Sequence, residues 1–307
     1  MARPGEFELI ARLLAPIARD PAALGLLDDA AVLDVPAGRQ LVATADALVA
    51  DVHFRSEDPP DAIAWKALAV NLSDVAAMGG RPLGHLLTVA WPGGLATEWI
   101  EAFCAGLGVA GERWGSALLG GDTVSTPGPL SLSITALGTV PTGKALTRAG
   151  ARPGDLLCVS GPIGDAALGL KRLKAGAGND DPAAAKYLRP EPRIDLGHAL
   201  VGHATACLDI SDGLVADAGH IAEVSKVALT IEAAKVPLSD TARAALASGE
   251  IDLGELLTGG DDYELLFTAA DAPHGSAIGR VDAGEGVRVL DVEGQTLALS
   301  ATGWRHF

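Results

Sequence analysis

Five short acidic motifs punctuate this chain: Asp28-Asp29 in L-L-D-D-A-A-V, Asp46 in T-A-D, Asp74 in N-L-S-D-V-A-A-M-G-G, Asp122 in G-G-D-T, and Asp209 with Asp212 in D-I-S-D-G-L. Each carboxylate ends an apolar run or sits beside glycine, the pattern of a strand giving way to a turn, which is where folds gather ligands. Carboxylates converging in one cleft repel one another and lose solvent, so they stay ionised only where a cation neutralises them. An oxygen-only ligand set suits magnesium, which bridges a few carboxylates to substrate phosphates. Asp beside Gly is also ordinary turn and cap chemistry, and that alternative holds for any one motif taken singly.

The 307 residues exceed the usual single-core size, so two domains are expected, and 49% hydrophobic content fills both cores. Lys and Arg number 23 against 39 Asp and Glu, a net charge of -16. Binding to nucleic-acid backbones or anionic membranes requires a basic footprint, so neither is expected as a partner. Nucleotides remain open if metals mediate. Glu6 and Glu8 interrupt the start of the chain where a signal peptide would carry its apolar core, and the expected location is cytoplasmic. The uncharged stretch 123–143 contains Pro127, Pro129 and Pro141 and reads as strands joined by turns, not as a membrane span. Cys104, Cys158 and Cys207 are isolated among apolar neighbours and read as buried, reduced thiols.

Apolar spacing predicts helices over 8–17, 62–78 and 96–114, with strands over 41–49, 86–91, 117–120 and 130–140. Ile63, Leu68, Leu72, Val75 and Met78 share one face of the second helix, and Asn71 and Asp74, three apart, point together. The Gly/Pro-rich segment 149–155 marks a boundary, giving domains 1–150 and 151–307. In the second domain, strands are predicted over 156–160, 206–210, 228–231 and 263–268, helices over 164–174, 193–204 and 214–224, and an exposed loop over 175–182. Both halves are α/β in class.

The near-miss to a phosphate-binding loop, G-T-V-P-T-G-K-A at 138–145, ends in Ala145 where the motif needs a hydroxyl, and no helix is predicted after it. Gly120 and Gly121 read as following a strand, so that backbone amides approach an anion while Asp122 reaches a metal. Ser211 and Asp212 stand at a helix start, where a plain N-cap is the alternative, and 259–264 is an acidic turn leading into a strand. His53 follows the Asp46 strand. Neither a Ser-His-Asp set nor a zinc-type His/Cys cluster is recognisable, and His198 and His203, five apart, share no helix face.

In this order, G-E-F-E-L-I-A-R at 5, D-D-A-A-V at 28, T-A-D at 44, V-H-F at 52, K-A-L-A-V-N-L-S-D-V-A-A-M-G at 66, G-G-D-T at 120, A-L-T-R-A-G-A at 145, L-R-P at 188, D-I-S-D-G-L at 209, G-G-D-D-Y-E-L at 259 and G-W-R-H-F at 303 resemble the thiamine-monophosphate kinases. That family sits with aminoimidazole ribonucleotide synthetase and selenophosphate synthetase. The resemblance implies an N-terminal α/β domain that builds a β-barrel across a homodimer, a C-terminal α/β domain, and ATP-dependent phosphorylation of thiamine monophosphate. It implies magnesium ligands at Asp29, Thr44, Asp46, Asp74, Asp122, Asp209 and Asp212, with the Ala45 carbonyl as a further one. ATP would meet Gly121, Asp122, Arg148 and Ser211, and the thiamine phosphate would meet His53, Asp261 and Trp304. Leu27, Ala45 and Asp261 depart from the family's usual Gly, hydroxyl residue and Glu.

Other readings are another phosphotransferase or synthetase of the superfamily, or a non-enzymatic acidic metal-binding protein. A selenophosphate synthetase would need a reactive residue near the N-terminus, and no cysteine precedes Cys104; hydrogenase-maturation relatives end in cysteine, whereas this chain ends in Phe307.

Overall fold

The computed structural model describes residues 5–272, 274–299 and 301–304. The chain divides into two compact units, Met1–Val75 with Arg81–Gly143 and Ala76–Gly80 with Lys144–Phe307. The second unit begins ahead of the Gly/Pro segment at 149–155 because the preceding residues already bond within it. The N–H of Leu146 donates to Met78 O, that of Cys207 to Thr147 O, and that of Gly150 to Ser225 Oγ.

The first unit opens with α1 (Glu6–Leu9), which continues as a π-helical turn, Ile10–Leu14, and a 3₁₀ turn, Ala15–Ile17. A regular helix was expected across this stretch. Pro16 has no N–H to continue the α ladder, and the chain tightens around it. β1 (Arg39–Val49), α2 (Pro60–Ala77), β2 (Arg81–Pro92), α3 (Thr97–Trp114), β3 (Ala117–Thr126) and β4 (Ser131–Pro141) follow. The strands form a sheet of order β1-β4-β2-β3 in which β4 runs antiparallel to both neighbours and β2 parallel to β3. The parallel pair needs a crossover, and α3 provides it.

Alternation sorts the sheet's faces. Leu132, Ile134 and Ala136 of β4 are buried with Leu48, Leu87 and Val89, while Ala43, Ala45 and Ala47 lie exposed on the other face of β1. α2 is buried almost all round, from Ile63 and Ala64 through Ala67, Leu68, Ala69 and Leu72, so it is not the one-faced helix its spacing suggests. Small residues bring its neighbours close. A Cβ on Gly138 of β4 would lie 2.5 Å from Val75 Cγ1, and one on Gly106 of α3 would lie 2.5 Å from the Asp61 backbone. Among the described residues the sheet is open, edged by β1 and β3.

The second unit holds a six-stranded sheet of order β10-β7-β9-β5-β8-β6, built from β5 (Leu156–Val159), β6 (Ala206–Asp209), β7 (Ala228–Glu232), β8 (Leu265–Ala269), β9 (Ser276–Asp282) and β10 (Gly286–Leu290). Among the described residues only the β10–β7 pair of this sheet is parallel. Helices α4 (Asp165–Lys174), α5 (Pro182–Leu188), α6 (Ile194–Leu200), α7 (Leu214–Ser225), α8 (Asp240–Ser248) and α9 (Leu253–Thr258) accompany it. The core gathers Leu157, Val159, Leu208 and Leu266 from the strands with Leu214, Ala218 and Ile221 from α7. No helix among the described residues is long and apolar enough to cross a membrane. The three cysteines are free and buried, and burial pushes the Cys104 thiol up to about 12, far from thiolate chemistry at neutral pH.

Candidate active-site clusters

In the first unit, Thr44 and Asp46 alternate onto the same side of β1, and α2 brings Asn71 and Asp74 to them. Thr44 Oγ1 donates to Asp74 Oδ2 at 2.6 Å, and the Asp46 N–H donates to Asn71 Oδ1 at 2.9 Å. Asn71 is in turn fixed by its Nδ2, which donates to Ala67 O at 2.9 Å. Burial, reinforced by the charge of Asp74, pushes the Asp46 carboxyl up to about 6. Such a carboxylate pair, with a hydroxyl bonded to one member, offers hard oxygen atoms to a divalent cation. Asp46 sits inside β1, not at the strand end its motif suggests.

The Ala45 methyl does not join this group. It lies on the opposite face of β1. In the β1–β4 register Ala45 lies opposite Thr135. The missing hydroxyl at this position leaves the Thr44–Asp74 bond intact.

G-G-D-T also lies within a strand, in the middle of β3. Gly121 has φ 146°, and a Cβ there would fall 1.7 Å from Leu87 O, so only glycine fits. Cross-strand partners show which face each residue takes. Asp122 lies in register with Thr88, Ser133 and Ala47, whereas Asp46 is in register with Ile134, Leu87 and Gly121. Asp122 is therefore on the open face of the sheet, where it lines a cavity of about 490 Å³ together with Asp28, Asp29, Gly120 and Gly121. Within this unit the expected carboxylates gather as two groups, Asp29 with Asp122 and Asp46 with Asp74, on opposite faces of one sheet. Leu27 is 92% exposed with φ -106°, so the glycine usual there is not required; left-handed backbone falls instead at Leu24, Gly25 and Leu26.

His53 follows β1 in a loop where its Nδ1 accepts the Val49 N–H at 3.0 Å. That bond fixes the neutral ring's proton on Nε2, making His53 a donor there.

In the second unit, Asp209 closes β6 and is 6% exposed. The backbone of 210–213 then turns into α7. Neither Ser211 nor Asp212 caps that helix: Gly213 is the N-cap, with no side-chain bond. Asp217, in the first turn, instead reaches back, and its Oδ2 accepts the N–H groups of Ser211, Asp212 and Gly213 at 3.0, 3.0 and 3.2 Å. Burial pushes the Asp217 carboxyl up to about 7, against the pull of those N–H groups and of the Arg148 charge. Arg148 itself is tied down through its carbonyl, which accepts from Ser225 Oγ at 3.0 Å.

The G-G-D-D-Y-E turn docks on the same segment. The Asp261 N–H donates to Ser211 O at 2.9 Å, the Tyr263 N–H to Ile210 O at 2.8 Å, and the Tyr263 hydroxyl to Asp261 Oδ1 at 2.9 Å. A Cβ on Gly260 would lie 2.1 Å from Ser211 O, which accounts for the second glycine. The other acids of the motif are scaffolding. Asp262 is held above the usual carboxylate range by burial and accepts the Gly164 N–H, and Glu264 pairs with Arg193. The tail completes the group: the Trp304 N–H donates to Asp212 O at 2.9 Å, and its side chain stays on a residue 56% exposed. The rest of G-W-R-H-F, at 305–307, lies outside the described residues.

Asp212, Asp217 and His220 present ligand atoms within 4.8 Å of one another, a grouping among the described residues that the sequence motifs did not single out. The signal was present: residues 217 and 220 are three apart on one helix and so share a face.

The "AIR synthase related protein, N-terminal domain" family model matches residues 27–140, and the "AIR synthase related protein, C-terminal domain" model matches 152–292. A thiamine-monophosphate kinase of Caulobacter vibrioides is 44% identical over 99% of this chain and 92% of that protein. The crystal structure of thiamine-monophosphate kinase from Stenotrophomonas maltophilia superposes with a TM-score of 0.84 at 42% identity, covering 95% of this chain and 98% of that one. AaThiL complexed with AMPPCP and TMP superposes at 0.81 with 35% identity, over 99% and 97% of the two chains.

Proposed function

The chain belongs to the thiamine-monophosphate kinases of the AIR synthase related family, and from that premise we propose that it moves the γ-phosphoryl group of ATP onto the phosphate of thiamine monophosphate, giving thiamine diphosphate and ADP. The observation that carries this reading is the junction in the second unit. Ser211 and Asp212, the nucleotide and metal residues, are bonded through their carbonyls to Asp261 and Trp304, the thiamine residues. A general acidic phosphotransferase has no need of that last pair. AaThiL, complexed with AMPPCP and TMP, is a relative that holds an ATP analogue and the acceptor together.

Magnesium fits the oxygen-only donors of these acidic groups. Asp29 and Asp122 would hold it on one face of the first sheet, Thr44, Asp46 and Asp74 on the other, and Asp209 with Asp212 in the second unit. The raised carboxyl of Asp46 supports this assignment, since a cation beside it would relieve the repulsion from Asp74. Bound there, magnesium would neutralise the phosphate charges that otherwise keep donor and acceptor apart. The chain's own work is positioning. Gly121 lets backbone approach a phosphate, Arg148 supplies a positive charge, and Nε2–H of His53 donates to the acceptor phosphate. The exposed Trp304 indole offers its face to the cationic thiazolium. The acceptor is already ionised near neutral pH, so no general base is assigned, and in-line transfer needs orientation and charge stabilisation alone.

The exposed face carrying Leu41, Ala43, Ala45, Ala47 and Val124 supports a homodimer in which two such sheets close a barrel. Light scattering tests the dimer. ADP release dependent on both magnesium and thiamine monophosphate tests the activity, and absence of that dependence in the full chain would overturn it.

A further inference from the structure

Asp217 lies outside every motif that the family resemblance accounts for, yet it is 3% exposed and one of its oxygens takes three consecutive backbone N–H groups. Consecutive N–H groups converge on a point only when the backbone folds into a concave nest. Gly213 allows that fold, with φ 114° and no room for a Cβ, which would lie 2.7 Å from the Thr258 backbone. The helix start is thus capped from within α7, and Ser211 and Asp212 are relieved of the capping role their residue types usually take.

We propose that Asp217 is a positioning residue of the phosphoryl-transfer site, holding the 211–213 backbone in the nest that presents Ser211 and Asp212 without itself touching metal or substrate. The proposal deepens the kinase reading and rests on it for the roles of Ser211 and Asp212. The same segment is gripped from its other side, where Ser211 O and Asp212 O accept the N–H groups of Asp261 and Trp304 at 2.9 Å each. Donors therefore leave the turn toward Asp217, and acceptors leave it toward the thiamine residues. Oδ2 is engaged by three backbone N–H groups, and the Asp217→Asn variant, which removes the charge that Asp217 brings to the Asp212–His220 grouping, separates this role from metal ligation. The carboxylate's work is charge-assisted hydrogen bonding to the peptide chain.

The test compares full-length wild type, Asp217→Asn and Asp217→Ala. Asn keeps an oxygen acceptor at the same reach; Ala removes it. In Asp217→Ala, hydrogen exchange over 210–213 should accelerate tenfold or more while that over β8 is unchanged. The magnesium concentration for half-maximal ADP release should rise at least tenfold and kcat should fall about a hundredfold, the usual scale for partners that orient a metal ligand. The KM for thiamine monophosphate should stay within about threefold, and Asp217→Asn should recover each quantity to within about tenfold of wild type. A loss in Asp217→Asn as deep as in Asp217→Ala would make Asp217 a metal ligand and overturn the proposal, as would unchanged exchange in Asp217→Ala. If Asp217→Ala does not fold, Asp217→Glu, whose carboxylate overshoots by one methylene, is judged by the same exchange and magnesium readings. Hydrogen exchange needs no turnover, so it decides the role of Asp217 separately from a failure of the kinase reading, which would appear as inactive wild type.

Discussion

Asp46 and Asp217 are both buried carboxylates in the two halves of the molecule, and burial pushes both upward, to about 6 and about 7. Their surroundings differ in kind. Around Asp217 the charge of Asp212 adds to the shift, but the backbone N–H groups of Asp212 and Ser211 and the charge of Arg148 oppose it, so counter-dipoles for the charged form are built into the peptide chain. At Asp46 burial and the charge of Asp74 act in the same direction. The first arrangement stabilises a turn whether or not a ligand is present. The second raises the free energy of the metal-free protein, and a cation bound at the proposed magnesium site would return it.

Substitution at the cation-dependent region should have the largest effect. Asp74→Asn keeps an oxygen for the Thr44 hydroxyl and removes the charge, so circular dichroism should show the native fold. The kinase assay should show kcat lowered by on the order of a hundredfold or more, since a metal at a transferring phosphoryl group supplies several kcal/mol. Near-normal turnover would remove Asp74 from the metal site and collapse the contrast with Asp217.

A smaller and more selective effect is expected where the second unit meets substrate. The cation–π contribution of an indole face is about 0.5–2 kcal/mol, so Trp304→Ala should raise the KM for thiamine monophosphate between about twofold and thirtyfold, and leave that for ATP little changed. The backbone bond from residue 304 to Asp212 survives the substitution, so tail docking is retained. If Trp304 served only to pack the tail, the variant would lose thermal stability with no selective change in either KM.

The elements with strong periodicity were legible in the sequence: α2, α3, β1 and β4 fall within two residues of expectation, whereas β2 begins at Arg81 and β3 runs on to Thr126, well beyond the expected 86–91 and 117–120. Legibility failed where the signal is not periodic. α9 is set by a capping box between Asp252 and Glu255 within six residues, and β9 and β10 are short strands interrupted by Gly279 and Arg288. α2 misled in another way, because a helix buried all round shows no apolar stripe to locate its partner. For the candidate site, residue types and order put forward Asp46, Asp74, Asp212 and Asp261 as candidates. They could not show that strand register puts Asp46 and Asp122 on opposite faces, since a single residue's shift reverses the face. Nor could they find Asp217, whose role depends on a chain reversal that brings a helix's first turn back over the residues before it.

The smallest expected effect measures the Asp46 side of the comparison alone. Its folded carboxyl titrates near 6 and its unfolded counterpart near 3.8. The protonated form is therefore the one the native state prefers. Its contribution is fully present below about pH 3.8 and is lost as pH rises through about 6. In metal-free protein, Asp46→Asn should leave stability close to wild type at pH 4 and exceed it increasingly up to about pH 7. The gain should reach on the order of 2 kcal/mol, a few degrees in Tm, because each tenfold change in proton affinity is worth ~1.4 kcal/mol. Magnesium with a non-hydrolysable ATP analogue should raise the wild-type Tm at pH 7.5, should raise it less at pH 5 where protons compete for the same oxygens, and should raise that of Asp46→Asn less at either pH. Calorimetric Tm values across this pH range check all of these. A difference between variant and wild type that does not change between pH 4 and pH 7 would show that burial and Asp74 do not hold the Asp46 carboxyl up, and would remove this support for a cation beside it.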